Sequence, residues 1–123
     1  MHLINSTIPG LPVIFYGDEI GMPGGNDPDC RRMMKFESLN EQEIKLKREV
    51  SYLLKLRSSS LSLIYGDLDW TEVSDHRLVY SRSYGGEKVT IYINKDAELQ
   101  EFNHNGLTFG LNPYTYKLFK NKR

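Results

Sequence analysis

The chain has 123 residues, with 16 basic and 16 acidic side chains and a formal net charge of zero at pH 7. There is no basic excess to drive nucleic-acid binding, and we expect no nucleic-acid partner. Its 39% apolar and 26% charged residues are typical of a globular protein, and no apolar run is long enough to predict a membrane segment. Cys30 is the single cysteine, which excludes an internal disulfide, and nothing at Met1 indicates a signal peptide that would assign a localisation.

The first strong pattern is a predicted buried strand. Residues 2–8 read as the end of a helix or a loop, and residues 11–16 then form an almost continuous apolar run. A run without alternation is typical of a strand that is buried on both faces of a parallel sheet. Pro12 and the β-branched Val13 and Ile14 disfavour the alternative of a short buried helix.

A long loop and a helix are predicted next. Residues 18–36 are rich in glycine and proline, and loops of this length are often functional. Asn40 is the predicted N-cap of the helix, with Glu43 three residues later to complete a capping box. The helix presents one apolar stripe at helical spacing, formed by Leu46, Val50, Leu53 and Leu54. The serines at 58–60 are predicted to end it.

From about Leu61 the apolar period changes to two, which predicts an all-β second part. Gly85 and Gly86 suit a two-residue hairpin turn that needs positive φ. Predicted strands are 67–73, 77–84, 89–93, 98–102, 107–109 and 114–119. Such a run of short strands favours an antiparallel sandwich or a partly open barrel. We therefore predict a mainly β fold, with one strand-loop-helix part over residues 1–60 and an all-β part over residues 61–123.

Residues 9–22, PGLPVIFYGDEIGM, resemble the segment around the eighth strand of the barrel in the α-amylase family, glycoside hydrolase family 13. Residues 24–31, GGNDPDCR, are most similar to its neopullulanase and cyclomaltodextrinase branch. The LLKLR at 53–57 and the YGD at 65–67 fit the same family. The resemblance implies that residues 1–60 are the last strand, active-site loop and last helix of a truncated (β/α)8 barrel. It implies that residues 61–123 are a C-terminal antiparallel β-sandwich.

The resemblance also implies an activity, which is retaining hydrolysis of α-glucans such as starch, maltooligosaccharides and cyclomaltodextrins. The family's catalytic carboxylates lie on earlier strands, so we expect them upstream of Met1 and expect this chain alone to be inactive. Asp27 and Arg31, in the order Asp-Pro-x-x-Arg, match family positions that bind glucose, and loops at this end of a barrel build its active site. The alternative for these two residues is a loop salt bridge, or a turn cap by Asp27 before Pro28.

Other chemistry-bearing residues give weaker patterns. Asp18 and Glu19 are interpreted as structural parts of a Gly-Asp-Glu turn. Cys30 lacks the base and third partner of a nucleophile, and Gly24-Gly25 lacks the Lys-Ser/Thr ending of a phosphate loop. We predict no metal and no cofactor, because no metal-ligand spacing joins Cys30 to the histidines, which are His2, His76 and His104.

Two further interpretations concern partners. The chain is alternatively a non-catalytic β-sandwich module that binds carbohydrate or another protein, with Trp70 and the tyrosines as a stacking platform, although such residues more often pack cores. It is also alternatively a truncated product with a structural role. The predicted strand at residues 11–16 has unpaired edges and apolar faces. We therefore expect either a homodimer through this strand or its folding onto the sandwich.

Overall fold

The computed structural model describes residues 1–122 and divides the chain into two compact units, Met1–Ser59 and Ser60–Arg123. We name them the amino-terminal unit and the carboxy-terminal unit. The described residues form three α-helices and six β-strands, and every strand pair is antiparallel. The mainly β fold class predicted from the sequence is confirmed.

Two α-helices build the amino-terminal unit, α1 at His2–Thr7 and α2 at Glu41–Ser58, with short 3₁₀ turns at Asp18–Ile20 and Asp29–Arg31. The predicted capping box at the start of α2 is confirmed. The Glu43 N–H donates to Asn40 Oδ1 at 2.9 Å, and the Asn40 N–H donates to Glu43 Oε2 at 2.7 Å. The helix ends within the serine run, as predicted.

The apolar stripe of α2 lies in the core of the amino-terminal unit. Val50 and Leu53 are almost completely buried, together with Leu3 of α1 and Ile20 of the first 3₁₀ turn. Packing an apolar stripe against neighbouring elements supplies most of the stability of a helix of this length. This core anchors the two ends of the long loop between Tyr16 and α2.

The structure places no strand at residues 11–16, so this part of the prediction is wrong. The two sheets contain only residues from Asp67 onward, and the predicted burial on both faces is absent, since Leu11 is 90% and Val13 75% exposed. A parallel strand is stable only when neighbouring strands complete its hydrogen bonds and helices cover its faces. Among the described residues, no parallel neighbour is present. Side-chain hydrogen bonds hold the segment instead: Asn5 Nδ2 donates to the Val13 carbonyl at 2.8 Å, and the Phe15 N–H and the Tyr16 hydroxyl donate to groups of the following loop.

The carboxy-terminal unit opens with helix α3, Leu61–Tyr65, where the sequence predicted the start of period-two structure. That prediction is wrong because the turn is fixed by distant groups. Ser60 and Ser62 donate hydrogen bonds to the Glu87 carboxylate, and Leu63 is completely buried. Contacts of this kind override the local pattern.

The strands form a four-stranded sheet in the order β1-β2-β3-β6 and a two-stranded sheet, β4-β5. Their bounds are β1 Asp67–Val73, β2 Arg77–Tyr84, β3 Glu87–Asn94, β4 Gln100–His104, β5 Leu107–Leu111 and β6 Tyr116–Lys122. The β2–β3 turn at Gly85 and Gly86 has φ of 55° and 83°, which confirms the predicted positive-φ hairpin. The sequence thus predicted all six strands, with shifts at the ends of the later ones.

The core of the carboxy-terminal unit lies between its two sheets and centres on Tyr92. Rings of Phe102, Phe109 and Phe119 meet Tyr92 edge-on, with centroids 5.2–5.8 Å away. This is the favoured arrangement of aromatic pairs. The Tyr92 hydroxyl lies 2.9 Å from His104 Nδ1, and burial raises the pKa of Tyr92. Tyr92 therefore packs the core and does not supply an exposed stacking surface.

Candidate functional site

The loop that carries Asp27 and Arg31 begins at a tight turn held by adjacent carboxylates. Gly17 has a φ of 92°, a conformation that favours glycine. Asp18 Oδ2 accepts from the Phe15 N–H at 3.2 Å, and Glu19 Oε2 accepts from the Gly17 N–H at 2.8 Å. Both carboxylates bind backbone donors of their own turn, which is the structural role that the sequence predicted.

Asp27 and Arg31 form a bidentate ion pair. Arg31 Nε lies 2.9 Å from Asp27 Oδ1, and Arg31 Nη2 donates to Asp27 Oδ2 at 3.0 Å. The 3₁₀ turn at Asp29–Arg31 brings the side chains together at a spacing of four residues. The carboxylate side chain is 60% exposed and the guanidinium side chain 73% exposed. The two predicted site residues therefore lie side by side at the surface.

A second pair, which the sequence analysis did not single out, stiffens the same loop. Arg32 Nε donates to Asp29 Oδ1 at 2.7 Å, and the Gly25 N–H donates to Asp29 Oδ2 at 2.8 Å. These bonds hold the pKa of Asp29 below its ordinary value, and the bond from Arg32 has the larger effect. The Tyr16 hydroxyl donates to the Arg32 carbonyl at 2.9 Å and ties the loop to its entry segment. The opposite charges of Asp29 and Arg32, three residues apart, are the sequence feature that could have predicted this pair.

The exposed Asp27–Arg31 pair is chemically suited to polar ligands with several hydroxyl groups. A carboxylate accepts from two O–H donors and a guanidinium donates to oxygen acceptors in a fixed plane. An exposed ion pair contributes at most about 1 kcal/mol to stability, so a ligand displaces it at low cost. The same geometry also satisfies the alternative of a loop salt bridge.

The structure places Cys30, His76 and His104 each beside another side chain. Cys30 is exposed, with its Sγ 3.9 Å from Asp27 Oδ1. His76 Nδ1 lies 2.8 Å from the Asp96 carboxylate, while His104 stacks on Phe119. Across the part of the chain that the structure describes, no cluster of three His, Cys, Asp or Glu side chains fits a metal ion. In the same part of the chain, no helix is long and apolar enough to cross a membrane.

Arg57 is a buried charge that positions the backbone of the residues preceding the loop in sequence. From the last turn of α2, its guanidinium donates to the carbonyls of Ser6 and Ile8, the latter at 2.7 Å, and to that of Gly10. Burial lowers the pKa of Arg57, which nevertheless stays charged at any ordinary pH. Arg57 is the last residue of the LLKLR segment, and its role was not predictable from that segment. Its contacts fix the segment that enters residues 11–16.

Glu87 is a buried charge of the carboxy-terminal unit. It accepts hydrogen bonds from the Ser60 hydroxyl, from the N–H and hydroxyl of Ser62 at 3.1 and 2.8 Å, and from Lys120 Nζ at 3.0 Å. Burial alone would raise the pKa of this carboxyl, but the bonds from Ser60, Ser62 and Lys120 outweigh it and lower the pKa to about 2. We interpret the cluster as structural, since every donor to Glu87 belongs to the carboxy-terminal unit itself.

Two enzymes with established names are similar to most of this chain, although no family model matches it. The chain is 40% identical over 103 residues to a cyclomaltodextrinase of Geobacillus thermopakistaniensis strain MAS1, covering 82% of this chain and 17% of that enzyme. It is 36% identical over 100 residues to neopullulanase 2 of Thermoactinomyces vulgaris, covering 80% of this chain. The chain thus spans 17% of the length of each relative.

A solved structure of an α-amylase shares the fold of this chain. An Anoxybacillus α-amylase superposes with a TM-score of 0.85 at 26% identity, over 96% of this chain and 30% of that one. The sequence similarity and the shared fold agree with the resemblance first seen in residues 9–31. The chain therefore belongs to the α-amylase family of glycoside hydrolases, in which it corresponds to a carboxy-terminal portion.

Proposed function

We propose that this chain is the carboxy-terminal part of an enzyme that hydrolyses α-glucans, namely starch, maltooligosaccharides or cyclomaltodextrins, with retention of configuration. The names of the two relatives support an α-glucan substrate. The observation that carries the proposal is the exposed Asp27–Arg31 pair in a chain 40% identical to a cyclomaltodextrinase. In the complete enzyme, Asp27 accepts from glucose hydroxyls and Arg31 donates to them, so that the pair orients the sugar.

The catalytic carboxylates of the proposed enzyme belong to polypeptide outside these 123 residues. Retaining hydrolysis needs one carboxylate as nucleophile and a carboxylic acid to protonate the leaving oxygen, about 5 Å apart on either side of the bond. The loop carboxylates are already engaged, Asp18 and Glu19 by backbone N–H groups, and Asp27 and Asp29 by arginines. We therefore propose that the isolated chain has no hydrolase activity.

The experiment that tests this function joins the chain to the coding sequence upstream of its Met1 codon in the source genome. We expect the longer polypeptide to release reducing ends from maltoheptaose, and the pure 123-residue chain to release none. Cleavage by the pure chain would refute its inactivity. An upstream sequence that encodes no barrel would overturn the assignment to a hydrolase.

The role of Asp27 and Arg31 is tested in the longer polypeptide. Asp27→Asn and Arg31→Met are each expected to lower kcat/KM for maltoheptaose about tenfold or more, because each removes charge-assisted bonds to the sugar. Asp75→Asn, at an exposed aspartate in the β1–β2 turn, is the matched control and is expected to leave kcat/KM unchanged. Equal activity of all three variants would leave the pair as a loop salt bridge only.

A further inference from the structure

One row of polar residues crosses the whole four-stranded sheet at one end of the carboxy-terminal unit. The register pairs Asp67 of β1 with Ser83 of β2, Ser83 with Lys88 of β3, and Lys88 with Asn121 of β6. Residues directly opposite each other in antiparallel strands share a face, and four strands give the row a length of roughly 14 Å. The row therefore presents four polar side chains in a line on one face.

This face is the one that packs against the second sheet. Val79 and Tyr92, which pair across β2 and β3, lie in the core between the sheets. Ser83 and Lys88 follow them at even spacing and so have the same orientation. The polar row is thus the last row of the core-facing surface, at the end where the core gives way to solvent.

The turn between β4 and β5 borders the row and makes it one side of an open cleft of about 630 Å³. Asn105, with φ of 50°, lies at the tip of that turn and lines the cleft with the row. The Gly106 N–H donates to Asn103 Oδ1 at 3.0 Å, which fixes the turn. Volumes of this size are usual for sites that bind small molecules.

The chemistry of the cleft favours a neutral ligand rich in hydroxyl groups. Asp67 and Lys88 contribute one charge of each sign, so neither anions nor cations are favoured overall. The other negative group at its edge, Glu87, is engaged by Ser60, Ser62 and Lys120. Among the described residues, neither Asp67, Lys88 nor Asn121 has a side-chain hydrogen bond to a protein group. A carboxylate, two amides and an ammonium together donate to and accept from the vicinal hydroxyls of a sugar.

We propose that this cleft is a second carbohydrate site that binds an α-glucan chain on the sandwich, separate from the Asp27–Arg31 loop. The choice of α-glucan among sugars rests on the proposed function, whereas the cleft itself rests on the geometry above. The row is longer than one sugar ring, which suits an oligosaccharide lying across the strands. Asp67 and the amides of Asn105 and Asn121 bind its hydroxyls, and Lys88 donates to its oxygens.

The test is a titration of the pure 123-residue chain with maltoheptaose, followed residue by residue in ¹H–¹⁵N NMR spectra up to about 10 mM sugar. We expect the amide signals of residues 83–88, of Asn105 and Gly106, and of Asn121 to shift together along one binding curve. Asp67→Asn and Asn121→Ala are each expected to weaken binding about fivefold, because each removes hydrogen bonds to the sugar. Asp75→Asn, in the turn at the opposite end of the sheet, is expected to bind as the unchanged chain does.

Three outcomes would overturn the inference: no shifts at the highest concentration, shifts confined to other residues, or equal weakening by Asp75→Asn. Cellohexaose, a β-linked glucan, serves as the competing ligand. Equal binding of cellohexaose would refute the choice of α-glucan. Hydrolysis by the longer polypeptide is measured separately. Absence of binding in the cleft would therefore not refute the proposed function, and absence of hydrolysis would not refute binding in the cleft.

Discussion

Glu87 couples the stability of the carboxy-terminal unit to pH. Its pKa is about 2 in the folded chain, against an ordinary value of 4.5 for a glutamate, so the unfolded chain takes up a proton first as the pH falls. The stabilisation is therefore complete above about pH 4.5 and is lost as the pH falls towards 2. A pKa difference of this size corresponds to at most about 3 to 4 kcal/mol of stability, and screening by solvent and salt reduces that figure.

Urea unfolding between about pH 6 and about pH 2.5, followed by the fluorescence of Trp70, measures this dependence. Trp70 is the one tryptophan and lies on β1, with its ring 5.1 Å from that of Tyr80. Glu87→Gln is expected to destabilise the unit near neutral pH. It is also expected to reduce the fall in the free energy of unfolding between about pH 4.5 and about pH 2.5, which we call the acid limb. Glu101→Gln, at an exposed position of β4, is the control and should keep the limb. An unchanged acid limb in Glu87→Gln would contradict the assignment.

Single residues were predictable from the sequence where their partners are near in the chain. Asn40 and Glu43 are three positions apart, and this spacing predicted their capping box. Asp27 and Arg31 are four positions apart; they were predicted to bind sugar, with a loop salt bridge as the alternative. Arg57 instead reaches carbonyls 47 to 51 positions away, and Glu87 binds serines 25 and 27 positions away. No local pattern contains such partners, and only the folded chain brings them together.

The start of α2 depends on one side chain at the scale of the element. Asn40→Ala removes the acceptor of the Glu43 N–H and is expected to destabilise the helix by about 1 kcal/mol. Hydrogen exchange at the Glu43 amide should then become about fivefold faster. Asn40→Asp keeps an acceptor and should restore protection, and Gln42→Ala, exposed in the same turn, should not change it. Equal exchange in Asn40→Ala and the unchanged chain would contradict the capping role.

Elements were predictable to the extent that their partners lie within the chain. In the carboxy-terminal unit, β1 with β2, β2 with β3 and β4 with β5 are pairs of strands that follow each other in sequence, and only the pair β3 with β6 is separated, by the β4–β5 hairpin. Residues 11–16 have the composition of a buried parallel strand, yet no described residue forms a strand pair with them. The apolar pattern therefore predicted a strand that the structure does not contain. The polar row at the end of the sheet was not predicted, because a row across four strands depends on the register of every pair.

At the scale of the whole molecule, we propose that two copies associate through residues 11–16. Leu11, Val13 and Phe15 are 90%, 75% and 56% exposed, which is an apolar surface without cover in the described chain. Pairing two such segments would complete backbone hydrogen bonds and remove apolar side chains from water. Sedimentation velocity over a range of concentrations is expected to show a monomer–dimer equilibrium.

A matched pair of variants locates the dimer interface. Val13→Asp is expected to shift the equilibrium to monomer, because association would bury its charge. Val73→Asp places the same change at a 68% exposed valine on β1 and should leave the equilibrium unchanged. A chain that stays monomeric at every concentration would refute the proposal, as would equal effects of the two variants.

The exposed thiol of Cys30 has a consequence for the redox behaviour of the protein in storage. One accessible sulfur per chain allows air oxidation to join two chains covalently, and then leaves no thiol for a third. Ageing samples would therefore accumulate a covalent pair and never a disulfide-linked polymer. Such a pair would sediment as a dimer whatever residues 11–16 do, so a reductant must be present, and Cys30→Ser provides a species that cannot form it.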